Sequence, residues 1–71
     1  IPDLEIQQGQ ASIKYRWIHC IPSFDVPVKI LLDGKTQWIY PTNEWKVLNT
    51  STKTSEVSID KNFYVGLKQA D

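Results

Sequence analysis

One cysteine and one histidine in 71 residues leave this chain no internal disulfide and no set of ligands for a metal. A structural zinc site takes four ligands, mostly cysteine and histidine. Small domains without such staples have a marginal core. Here three Trp, three Tyr and two Phe take up that task, each able to bury roughly 150–250 Å². Methionine is absent and the three glycines are scattered, which excludes a glycine-rich phosphate loop. No apolar run approaches the roughly 20 residues of a membrane span, and no signal-peptide pattern is present. Eight basic and eight acidic side chains cancel. That balance lacks the field that collects nucleic acid or an anionic membrane, so neither is expected as a partner.

Alternation with period two dominates what is there. Leu4 and Ile6 alternate with Asp3, Glu5 and Gln7 as a first strand, and Gln8-Gly9-Gln10 reads as its turn. Ile13, Tyr15 and Trp17 share one face of the next strand, with Ser12, Lys14 and Arg16 on the other. Cys20 to Asp25 is a loop broken at Pro22-Ser23. Val26, Val28 and Ile30 form the next inward set, and Asp33-Gly34 turns the chain.

Two registers compete at that turn. A two-residue turn pairs Val28 with Ile39 and puts Trp38 opposite Lys29. A three-residue loop with a bulge at Gly34 instead pairs Val28 with Trp38, Val26 with Tyr40 and Ile30 with Thr36. A slip of one residue flips every side chain, and the apolar pattern favours the bulged loop. Thr36, Trp38 and Tyr40 are thus expected to face inward. Pro41 ends the strand. Trp45, Val47 and Asn49 then share a face opposite Lys46 and Leu48, and residues 49–55 form a polar loop. Val57 and Ile59 make a short strand, Asp60-Lys61-Asn62 a turn, and Phe63, Val65 and Leu67 the last strand. About seven short strands at spacings of roughly 8–12 residues, with no helix, describe an all-β fold. We expect a small antiparallel, Ig-like β-sandwich, with residues 1–71 as one domain. With no methionine and an Ile1-Pro2 opening, the chain is expected to be a fragment of a longer polypeptide.

The residues offer little chemistry. His19 and Cys20 are adjacent, and neighbours on an extended segment point to opposite faces, so they do not converge as a nucleophilic pair. Asp25, Asp33, Glu44, Glu56 and Asp60 fall near turns with no spacing that pairs two of them in a cleft. Asn49-Thr50-Ser51 matches a glycosylation sequon, usable only in a secreted eukaryotic chain. No catalytic, cofactor-binding or metal-ligating residue is assigned. Trp17, Trp38, Tyr40 and Trp45 suit either a core or a stacking platform for sugar rings. Trp17 and Trp38, in phase with aliphatic residues, read as core; Trp45, following a turn, is the remaining stacking candidate.

Tyr15-Arg16-Trp17, Phe24-Asp25-Val26-Pro27-Val28, Tyr40-Pro41-Thr42 with Glu44-Trp45, and Asp60-Lys61-Asn62-Phe63-Tyr64-Val65 together resemble a domain of gluzincin zinc aminopeptidases. These are metallopeptidases related to aminopeptidase N, and the likeness is to bacterial members of the Bacteroidetes type. It covers nearly the whole chain. In that family a small β-sandwich follows the catalytic domain, and Ile1-Pro2-Asp3-Leu4-Glu5 resembles the junction into it. The family's His-Glu-x-x-His helix, distal Glu ligand and Gly-Ala-Met-Glu-Asn segment have no counterpart here. The resemblance therefore implies a noncatalytic accessory domain without a cofactor of its own, zinc being held by the parent hydrolase. Its partners would be neighbouring domains, met through an apolar patch expected at Leu31, Ile39 and Leu48. A carbohydrate-binding module and an Ig-like interaction domain are the alternatives.

Overall fold

The computed structural model describes residues 2–21, 24, 26–50, 53 and 56–70. Seven strands form two sheets: β1 (Asp3–Gln8), β2 (Ser12–Ile18), β3 (Val28–Leu32), β4 (Lys35–Ile39), β5 (Lys46–Asn49), β6 (Val57–Ile59) and β7 (Gly66–Gln69). One sheet has the order β5-β2-β1-β7 and the other β4-β3-β6. Their inner faces meet in one core of Leu4, Ile6, Ile13, Tyr15 and Trp17 from the first sheet and Val28, Ile30, Ile39 and Val57 from the second. This is the expected all-β sandwich. The polypeptide crosses between sheets after β2, β4, β5 and β6, the alternation of an Ig-like fold.

Strand β2 behaves as its sequence dictates. Its buried residues are Ile13, Tyr15 and Trp17, and the intervening side chains point to solvent. Antiparallel pairing sets Leu4 against Trp17 and Ile6 against Tyr15, so two inward rows stack side by side. Strand β7 departs from the antiparallel expectation and runs parallel to β1, with Leu67 beside Leu4. It also starts later than Phe63. The Val65 amide bonds the Phe63 carbonyl at 3.1 Å, a γ-type turn that kinks the chain short of Gly66. Gly66 then allows close approach, because a Cβ there would collide with the Asp3 carboxylate. Strand β3 likewise starts at Val28; Val26, expected inward, is exposed. Pro27 ahead of the strand has no ladder donor to offer.

The largest correction is at the β3–β4 turn. The loop has two residues, not three: Leu32 pairs with Lys35, Val28 with Ile39, and Trp38 lies opposite Lys29. Asp33 at φ 49° and Gly34 at φ 85° are both left-handed. That is the type I′ geometry, whose twist matches the flanking strands. Ile39 is therefore 2% exposed, while Trp38 and Tyr40 are 47% and 60% exposed. The expected patch changes with it. Ile39 belongs to the core, Leu48 packs against the core, and Leu31 alone keeps its outward phase. Apolar counting misled because β4 overhangs the core. Lys35 and Gln37 occupy inward positions yet are exposed, so Ile39 is the single inward residue of β4 that has to be apolar.

Gly34 has open space where a Cβ would stand. Gly34→Ala should thus cost only the left-handed backbone penalty, about 1–2 kcal/mol. Urea denaturation measures it, and a neutral substitution would contradict the left-handed assignment.

Candidate functional site

His19 and Cys20 part company as expected. The Cys20 thiol bonds the Ile18 carbonyl at 3.3 Å and packs against the core. His19, itself left-handed at φ 60°, turns outward to Asp3, with Nδ1 and Oδ2 2.7 Å apart. An ionised carboxylate only accepts, so His19 Nδ1–H is the donor. The carboxylates are dispersed over turns. Asp33 Oδ1 accepts the Glu56 amide at 2.8 Å, and Asp60 Oδ1 accepts the Asn62 amide at 2.9 Å. Glu44 lies in the turn closed by Thr42 Oγ1. Among the described residues no three His, Cys, Asp or Glu side chains gather as a metal site. Ile1, Asp25, the Pro22-Ser23 break and Ser51 of the sequon lie outside the described residues; Asn49 is exposed at the end of β5.

The tryptophans take three different positions. Trp17 is 1% exposed, with Phe24 edge-on at 5.0 Å between centroids and its own amide bonded to Thr42 O at 2.7 Å. Its indole N–H is buried without a hydrogen-bond partner. Trp45 lies on the outer face of the four-stranded sheet, with the Arg16 guanidinium 4.5 Å from its ring centre. Arg16 in turn bonds Glu5 at 2.6 Å, and Glu5 stands beside Lys68 on β7. A row of Trp45, Arg16, Glu5 and Lys68 therefore runs across the whole sheet. Such half-exposed pairs contribute roughly 0.2–1 kcal/mol each, so the row stiffens the face more than it stabilises the fold. Trp45, the stacking candidate from the sequence, is already capped by a cation.

Trp38, expected in the core, instead lies on the outer face of the three-stranded sheet, on its edge strand β4. Phe63 packs edge-on to it at 5.5 Å and Lys29 Nζ lies 5.4 Å from its ring centre. Tyr40, two residues on, has the same outward phase. The readable signal was the Asp-Gly pair itself, which favours two-residue turns whatever the apolar count. A groove of about 260 Å³ beside the β1–β2 turn is lined by Gln7, Gln8, Gly9, Ser12 and Lys14. It is smaller than the roughly 300–1,000 Å³ pockets that hold small ligands, and no aromatic or aliphatic side chain lines it.

No family model and no curated protein matches the chain.

The hydrogen bond from His19 holds the Asp3 carboxyl below its ordinary value of 3.8, against the opposing effect of burial and with help from Lys68. A depressed folded-state value stabilises the fold above 3.8, and that stabilisation is lost as acid protonates the folded carboxylate. Asp3→Asn should therefore be less stable than the parent at neutral pH, with the gap closing as pH falls below 3.8. Denaturation midpoints across pH measure this; a gap independent of pH would remove Asp3 from the acid response.

Proposed function

We propose that this chain is a noncatalytic accessory β-sandwich of an aminopeptidase N-type zinc metallopeptidase, packing against neighbouring domains of its parent. The observation that carries the reading is where the resembling segments sit. Tyr15-Arg16-Trp17 supplies the core tryptophan, Phe24 packs on its ring, and Tyr40-Pro41-Thr42 closes on its amide through Thr42. Pro41 is fully buried in the same region. Three of the resembling segments, apart in sequence, thus meet at Trp17, while Phe63 of the fourth packs on Trp38. The exposed Trp38 and Tyr40, with half-buried Leu31 in the same outward phase, add a second support, since exposed apolar surface marks contact sites. On this reading the work is mechanical, holding the parent's active-site cleft in shape while zinc chemistry proceeds elsewhere.

The gene decides the matter most directly. Its reading frame upstream of Ile1 should encode His-Glu-x-x-His with a more distal Glu. The isolated chain should show no stoichiometric, tight zinc binding in calorimetry. A frame without that helix, or a tight zinc site in residues 1–71, would sink the proposal.

A carbohydrate-binding module is the second reading, favoured by Trp38 on β4 and Tyr40 just beyond it lying outward two residues apart. Soluble glycans should then change tryptophan emission, and Trp38→Ala should lower affinity at least about tenfold, a loss of about 1.4 kcal/mol. Emission that no neutral glycan alters would leave the aromatic strip to domain packing.

A further inference from the structure

We infer that the flank beside β6 is a strand-acceptor site, which takes one extended polypeptide strand carrying basic residues at both ends and apolar residues between. The inference stands apart from the aminopeptidase reading, because it rests on the edges of the two sheets. The first sheet has four strands and the second three. Leu4 and Ile6 on β1 are fully buried, whereas the inward residues of β7 are half-buried at Leu67 and exposed at Gln69. β6 is an edge strand of the second sheet and β7 an edge strand of the first. β6 has a strand neighbour on one side alone, β3.

The backbone of β6 is poised for that missing neighbour. The Asp60 amide donates to Lys29 O at 3.0 Å and the Asp33 amide to Glu56 O at 2.9 Å. In an antiparallel ladder these bonds fix the alternation. Glu56, Ser58 and Asp60 turn their N–H and C=O groups to β3, while Val57 and Ile59 turn theirs to the open side. The opposite edge of the same sheet is guarded. By the same alternation Trp38 and Tyr40 direct their carbonyls away from β3. Gln37 Nε2 occupies the Trp38 carbonyl at 3.0 Å, and Lys46 Nζ occupies the Tyr40 carbonyl at 2.6 Å. Side chains that cap an edge discourage strand addition. Val57 and Ile59 carry no such cap among the described residues.

Side-chain phase then states the occupant. Val57 and Ile59 pair with Leu32 and Ile30 and share their inward phase. An added strand needs apolar residues beside them. Glu56, Ser58 and Asp60 share the outward phase, with a carboxylate at each end. Basic residues in the incoming strand would lie directly opposite those carboxylates. A second copy of the chain fits badly. Antiparallel pairing of β6 with itself about Ser58 sets Glu56 against the other copy's Asp60, twice over.

The probe is a capped Lys-Val-Thr-Val-Lys peptide added to the ¹⁵N-labelled chain at up to about 5 mM, a range suited to so short a ladder. Amide exchange at Val57 and Ile59 should slow at least about tenfold at saturation, with chemical-shift changes centred on β6. The Glu-Val-Thr-Val-Glu peptide should bind at least about tenfold more weakly, and so should the basic peptide N-methylated at both valines, which lacks the ladder donors. Equal binding of all three peptides, shifts centred on β4, or no exchange protection at β6 would overturn the inference. Concentration-dependent dimerisation through β6 would do so as well. None of these results depends on whether the parent is a peptidase.

Discussion

Two consecutive left-handed residues, Asp33 and Gly34, decide which side of β4 meets the core, and much of the molecule depends on that choice. The two-residue turn brings Ile39 inside against Val28 and sends Trp38 and Tyr40 out. It also fixes the direction of every backbone group in β3. Val28, Ile30 and Leu32 bond toward β4, which leaves Lys29, Leu31 and Asp33 to hold β6. Asp33 serves twice in this scheme, bending the chain and accepting the Glu56 amide through its carboxylate. One turn thus sets the register of a whole sheet and the exposed chemistry of both its edges.

Trp17 plays the corresponding part in the other layer. Burying an indole ring is worth about 4–6 kcal/mol at the usual area coefficient. Its unpartnered N–H costs roughly 1–3 kcal/mol, so burial prevails. The ring also collects its surroundings. Phe24 packs on it, and Thr42 closes on its backbone from the link between β4 and β5. A chain with no disulfide among its described residues concentrates its stability in such a centre.

Where packing and alternation agreed, the fold was legible from the residues. β1 and β2 read directly, because every buried position is apolar and alternates with polar residues, Gln8 and Ile18 at the strand ends aside. The two-layer class and the end set by Pro41 were legible too, whereas the start of β3 was not, Val26 having been expected inward. β4 was not, because Lys35 and Gln37 occupy inward positions beyond the cover of the facing sheet, where polarity is tolerated. An apolar count assumes a roof over every inward residue, and an overhanging strand breaks that assumption. The parallel β1–β7 pair was illegible for another reason: partners far apart in sequence leave no local signature. The Asp3–His19 pair depends on a left-handed His19 at the end of β2, which alternation does not register.

The edges follow from the same imbalance of layers. A four-stranded sheet and a three-stranded one cannot be matched strand for strand, and each sheet keeps two edges. The fold answers differently at its two flanks. Along β4 the carbonyls of Trp38 and Tyr40 are taken by side chains that follow closely in sequence, so that edge is closed within the domain. Along β6 the residues that bond the sheet are flanked by carboxylates, while the outward-turned backbone of Val57 and Ile59 has no such neighbour among the described residues. Guarding one edge while leaving the other open with charges at its ends is selective, since like-charged strands and the chain's own β6 are repelled. The exposed aromatics and the open edge thereby make separate surfaces, one suited to side-chain packing and one to backbone pairing.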